Sequence, residues 1–134
     1  MSSEIYNRII TGAEYDAHEA ELQAEEDENE EARRVGEAAL RRLVDIAENH
    51  HSGQSKIIAQ MLANTFNGQE FHFNLNDLGR LQTSILKDVL AVIRMDSRPE
   101  KETYQYIQNG DARFISIFQK FELVNLSRRL KPKK

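Results

Sequence analysis

Residues 53–94 read GQSKIIAQMLANTFNGQEFHFNLNDLGRLQTSILKDVLAVIR. How this stretch is read decides the fold. Ile57, Ile58, Met61, Leu62, Thr65 and Phe66 recur at i, i+1, i+4, i+5, i+8 and i+9, the pattern of a helix with one buried face. Ser52 offers a hydroxyl to cap its start, with Ser55 as the alternative. Asn67-Gly68 is expected to stop it, Gly68 taking the left-handed conformation. Phe71, Phe73 and Leu75 then alternate with His72 and Asn74. Alternation of this kind suits a strand. No second strand signal lies nearby, so an extended link that inserts its apolar side chains into a helical core is preferred. Asn74, Asn76 and Asp77 supply turn or cap chemistry before a helical turn at Leu78 and Leu81. Ile85, Leu86, Val89, Leu90, Val92 and Ile93 predict a helix with a broad apolar face, begun near Thr83 or Ser84 and ended before Arg98-Pro99.

Upstream, Val35, Ala39, Leu43 and Ile46 form a stripe widened by Leu40 and Ala47, predicting a helix over 35–49. Downstream, Tyr104, Tyr106 and Ile107 are expected to fold back on the core. A last helix carries Phe114, Ile115, Ile117, Phe118 and Phe121 and is extended through Leu126. The expected fold is all-α: a compact bundle of about four helices with a short extended aromatic link. The division is an acidic helical or partly disordered lead-in over 1–34, a helical domain over 35–126 and a basic tail over 127–134.

Charge is strongly segregated. Ten acids and no Lys or Arg lie within 14–31, Glu25, Glu26, Asp27 and Glu28 among them. This region has few large apolar residues to bury, which favours a solvated helix. Its functional reading is an arm for a basic partner or a mimic of nucleic-acid charge. Every Lys and Arg but Arg8 follows residue 31, so 32–134 carries +6. Arg128, Arg129, Lys131, Lys133 and Lys134 crowd the end. The tail reads first as a solubilising end, and pairing with the acidic block, within one chain or between two, is the alternative. Ile5, Tyr6, Ile9 and Ile10 form an apolar turn that needs somewhere to dock: its own core, a second subunit or another partner. A homodimer is therefore admitted.

Catalytic motifs are missing. The chain has no cysteine, which excludes disulfides, zinc–thiolate sites and thiol chemistry. Gly53-Gln54-Ser55-Lys56 opens a helix but lacks the GxxxxGK[ST] pattern of a phosphate loop, so capping is preferred over anion binding. His50-His51 is adjacent rather than i, i+4, which disfavours a helical metal pair. No serine has the setting of an activated nucleophile. No metal and no cofactor are implied. No window is long and apolar enough to span a membrane, no secretory leader is apparent, and the cytoplasm is the expected setting.

The central residues also resemble a family of small uncharacterised bacterial domains often encoded on plasmids, phages and integrated elements. The likeness covers roughly 37–121 and is carried by Gly53, Gln54, Ser55, Lys56, Ala59, Leu62, Phe66, Asn67, Phe73, Leu75, Leu78, Asp88, Leu90, Val92, Ile93 and Arg94. Phe66 stands where the pattern has Trp. The resemblance implies a small α-helical domain on mobile DNA and brings no established activity.

Three functions are carried forward. The first is a non-enzymatic regulatory protein that binds another protein, for example a host-defence or plasmid-maintenance component, with Glu25, Glu26, Asp27, Glu28, Arg128, Arg129 and Lys131 as candidate partner-binding residues. The second is a nucleic-acid-associated protein using the tail and Arg33, Arg34, Arg41 and Arg42 against phosphates. The third, an enzyme with an unfamiliar site, would need a pocket beside Gln54, His72, Asp77 or Asp88.

Overall fold

The computed structural model describes residues 12–123. Among these residues four α-helices follow in order: α1 (Gly12–Asn49), α2 (Gly53–Phe66), α3 (Thr83–Ser97) and α4 (Gly110–Lys120). Two 3-10 turns, Leu75–Arg80 and Thr103–Tyr106, lie between them, and no strand occurs among the described residues. The fold is all-α. Contacts divide the chain into two units, with the boundary between Glu31 and Ala32.

In the first unit, residues 12–28 are exposed on every face of the helix. No side chain is buried among them, and their Ala- and Glu-rich composition favours a helix by propensity. The apolar turn at Ile5–Ile10 and the tail residues Arg128, Arg129 and Lys131 lie outside the described residues.

In the second unit, α1 buries Gly36, Ala39, Leu40, Leu43, Val44 and Ala47. The stripe is therefore rotated from the expected one, and Val35 faces outward. Gly36 is the reason. A Cβ there would lie 2.5 Å from Met95 Cβ and 3.0 Å from the Ala91 carbonyl oxygen, so α1 and α3 meet where this residue has no side chain. Burying this line of α1 leaves its neighbour Val35 in solvent.

Helix α2 follows its sequence closely, and all six residues of the apolar series are buried. Its stop differs from expectation. Gly68 is not left-handed, since no described glycine has positive φ. Asn67, in extended geometry, ends the helix instead. Its side-chain oxygen accepts from the N–H groups of Gln69 (3.1 Å) and Glu70 (3.2 Å), which turns the chain without glycine. The Asn64 amide donates to the Phe71 carbonyl at 2.7 Å and fixes the start of the link.

The link inserts two of its three apolar side chains. Phe71 packs on Phe118 at 5.8 Å between ring centroids, and Phe73 lies partly buried against the core. Leu75 does not insert; it is 70% exposed. It begins the 3-10 turn Leu75–Arg80, capped by Asn74, whose side chain accepts from the Asn76 N–H. Helix α3 buries Val89, Val92 and Met95, while Leu90 and Ile93 face outward. Its first cap is Gln82, without a side-chain hydrogen bond, rather than Thr83 or Ser84.

Tyr106 and Ile107 are buried, and α4 adds Phe114, Ile117 and Phe118 to the core. Phe66 sits amid an aromatic cluster, with centroids 5.5 Å from Tyr104, 6.4 Å from Phe114 and 5.4 Å from Phe118. Helix α4 stops at Lys120, short of the expected extension through Leu126. Glu122 is left-handed, with φ 58°, and the Leu123 N–H donates to the Phe118 carbonyl at 2.8 Å. This is the bonding of a left-handed helix stop, reached here without the usual glycine.

Candidate functional site

One concave region among the described residues of the second unit is built around the GQSK segment. Helix α2 starts with a reciprocal cap: the Ser55 N–H donates to Ser52 Oγ (3.1 Å), and the Ser52 N–H donates to Ser55 Oγ. Both serines are thus used, where the sequence left either one as the cap. Ser55 is fully buried, and its Oγ also lies 3.0 Å from the Ser52 carbonyl oxygen, so it is engaged in structure. The Gln82 N–H donates to the Gln54 side-chain oxygen at 2.9 Å, tying the start of α3 to the start of α2.

These ties frame a cavity of about 630 Å³ whose lining includes Gln54, Lys56, Ile57, Gln60, Asp77 and Arg80. A smaller recess of about 320 Å³ shares Ser52, Gly53 and Lys56 and adds His51, Lys120, Phe121 and Glu122. Asp77 and Arg80 face each other at 3.9 Å, and the Arg80 side chain is largely exposed. The cavity therefore presents an ammonium, a guanidinium and a carboxylate beside Ile57. It can hold a small polar group by charge, but it sets no base beside a nucleophile. His72 is exposed outside its wall, and Asp88 is held by Arg42 in two hydrogen bonds of 2.8 and 3.0 Å.

The turn between α1 and α2 is clamped from α4. Lys120 Nζ donates to the carbonyls of Ala47 (2.9 Å), Glu48 (3.0 Å) and His50 (2.8 Å), satisfying acceptors that the end of α1 leaves open. His51 stacks on Phe121 with centroids 5.0 Å apart and planes within 8°. Among the described residues, no group of three or more His, Cys, Asp or Glu gathers where a metal could sit.

Arg113 grips Glu48 through two hydrogen bonds of 2.7 and 2.8 Å. That bond holds the Glu48 carboxyl below the usual carboxylate range, against the opposing effect of burial, and raises the Arg113 guanidinium in turn. A carboxylate depressed in the folded state contributes stability that is present above its unfolded value. That contribution is lost as pH falls through the folded value. Stability should therefore decline as pH falls below the ordinary glutamate value and Glu48 protonates. Glu48→Gln should remove about 1 kcal/mol or less at neutral pH, because Arg113 is partly exposed. It should also flatten the decline below that value, which urea titrations at several pH values would measure. Near Arg33 of α1, burial foremost raises the Tyr106 phenol, with the charge of Glu100 adding to it.

The candidate partner-binding residues fall on both sides of what is described. Glu25, Glu26, Asp27 and Glu28 lie exposed on α1, with Asp27 accepting a hydrogen bond from the Gln23 amide at 2.9 Å. Arg128, Arg129 and Lys131 are outside the described residues. The arginines proposed for phosphate contact are engaged internally: Arg33 with Glu100 (3.0 Å), Arg41 with Glu37 (3.4 Å) and Arg42 with Asp88 (2.8 Å), and Arg34 also has a partner. Residues 32–123 carry twelve basic and eleven acidic residues. Five of the six excess positive charges of the second unit thus belong to its tail. The cavity and the Lys120 clamp escape a sequence reading because both depend on pairs far apart in the chain. Only the Gly-Gln-Ser-Lys start pointed toward them.

No helix among the described residues is long and apolar enough to cross a membrane. No curated protein and no solved structure matches the chain. A family of unknown function, DUF7673, matches residues 37–122, which span α1 from Glu37 through the end of α4. Gly53–Arg94, the cavity and the Lys120 clamp all fall within that match, and the acidic stretch falls before it. The chain belongs to the DUF7673 family.

Proposed function

We propose that this is a non-enzymatic regulatory protein that works by binding another protein, with the acidic stretch of α1 as its contact surface. One observation carries this reading. Ten acids and no Lys or Arg lie within 14–31 of a continuous helix, and residues 12–28 are exposed around its whole circumference. Self-repulsion makes such a helix costly to keep compact, and it presents a field that attracts a basic partner. Helical order before contact lowers the entropy cost of binding. A mobile element is the genetic setting in which such a protein fits, countering a host defence or tuning plasmid maintenance. That setting rests on the resemblance of Gly53–Arg94 to element-borne domains.

The nucleic-acid reading is second. Three arginines offered to phosphate are held by carboxylates at 2.8–3.4 Å, and releasing them would cost those pairs. The tail alone would have to supply the phosphate contacts, with a correspondingly small salt dependence.

The test is capture from a lysate of the native host. Wild-type protein is compared with a variant carrying Glu25→Gln, Glu26→Gln, Asp27→Asn and Glu28→Gln. A specific protein should be retained by the wild type and lost from the variant, whose helix content is checked by circular dichroism. Equal retention by both would remove the acidic stretch as the surface, and capture of nucleic acid alone would favour the second reading.

A further inference from the structure

Leaving aside Val35 and Leu75, the exposed apolar side chains of α1 and α3 match one another in spacing and in the charge beside them. On α1, Tyr15 and Leu22 are 52% and 49% exposed. On α3, Leu90 and Ile93 are 46% and 36% exposed, with Leu86 half-buried beside them. Tyr15 and Leu22 are seven residues apart, as are Leu86 and Ile93, so each pair spans about 10.5 Å along its helix. Leu90 fills the gap on α3. The neighbouring charges repeat at the same interval: Glu19 and Glu26 on α1, Lys87 and Arg94 on α3.

Three pairings could cover these surfaces between two copies. Two acidic stretches side by side would set carboxylates against carboxylates. Two α3 faces together would set Lys87 and Arg94 against their own counterparts. Only the acidic stretch on the α3 face joins apolar to apolar and acid to base at once, as flanking charges do in paired helices. We propose that the acidic stretch of α1 in one copy docks on the Leu86-Leu90-Ile93 face of α3 in a second copy. Exchanged reciprocally about a two-fold axis, the contact occurs twice and closes a dimer. This inference rests on reading the acidic stretch as a protein-binding element, and it names a second copy as a partner.

Sedimentation velocity of the full chain across a concentration series tests it. A monomer–dimer equilibrium is expected, with the dissociation constant raised about tenfold or more by either Leu22→Ala or Leu90→Ala. Lys87→Glu with Arg94→Glu should weaken the dimer similarly, and adding Glu19→Lys with Glu26→Lys should restore it. That rescue separates a direct contact from misfolding, and unchanged thermal melting of each single variant guards the same point. A chain monomeric at every concentration overturns the proposal, as does a dimer weakened by Leu90→Ala but untouched by Leu22→Ala. If the chain is monomeric while a foreign protein is still captured through Glu25–Glu28, this inference fails and the proposed function stands.

Discussion

Phe66→Ala is expected to lower the unfolding free energy by about 3–5 kcal/mol, the range for deleting a fully buried aromatic side chain. Phe66 is 1% exposed and touches rings contributed by Tyr104, Phe114 and Phe118, so it joins α2 to both later elements. The loss includes the apolar area returned to water, the edge-to-face contacts and the cavity left behind. Neighbouring rings cannot collapse into that space without moving α4, and α4 is held at its end by the Lys120 bonds. Chemical denaturation should show a lower midpoint with a similar slope. A change below 1 kcal/mol would mean that this cluster is not the centre of the core.

Gly110→Ala is expected to cost about 3 kcal/mol or more, at or beyond the upper end of overpacking effects. A Cβ at Gly110 would stand 1.8 Å from the Tyr104 carbonyl oxygen and 2.8 Å from its carbon, both backbone atoms that no rotamer change can move. The preceding residue, Asn109, is left-handed at φ 56°, and the Gly110 N–H donates to the Ile107 carbonyl at 2.9 Å. The chain makes a tight turn there, so the collision can be relieved only by displacing α4 or the 3-10 turn Thr103–Tyr106. In an unconstrained helix the same substitution would stabilise by roughly 0.5–1 kcal/mol. The sign of the measured change therefore decides whether the close approach exists. Thermal melting would read it directly.

How much was legible depended on whether two local signals agreed. In α2, helical period and serine cap coincide, and all six expected residues are buried. In α1 and α3 the period gave the helices but not the rotation of the buried face. Gly36 carries no hydrophobic signal, yet it is the point where α1 meets α3 and leaves Val35 outside. On α3 six apolar residues span more than one face, and nothing local says that Val89, Val92 and Met95 turn inward while Leu90 and Ile93 do not. Leu75 alternates correctly with Phe71 and Phe73, but the 3-10 turn begins at Leu75 and ends the alternation. The helix stop at Asn67 uses side-chain bonding where Gly68 was the expected device, and the left-handed Glu122 follows α4 where an extension through Leu126 was expected. For the candidate site the divide is sharper. The acidic stretch is visible in composition alone, whereas the Gln54–Gln82 tie spans 28 residues and the Lys120 clamp more than 70.

The central claim is that the acidic stretch of α1 contacts protein. A photo-crosslinking residue placed at Asp27, activated in living cells, tests it most directly. The prediction is a discrete protein adduct, to a second copy of the chain or to a foreign partner, that disappears when Glu25, Glu26 and Glu28 are neutralised. No adduct, or an adduct to nucleic acid alone, would contradict it.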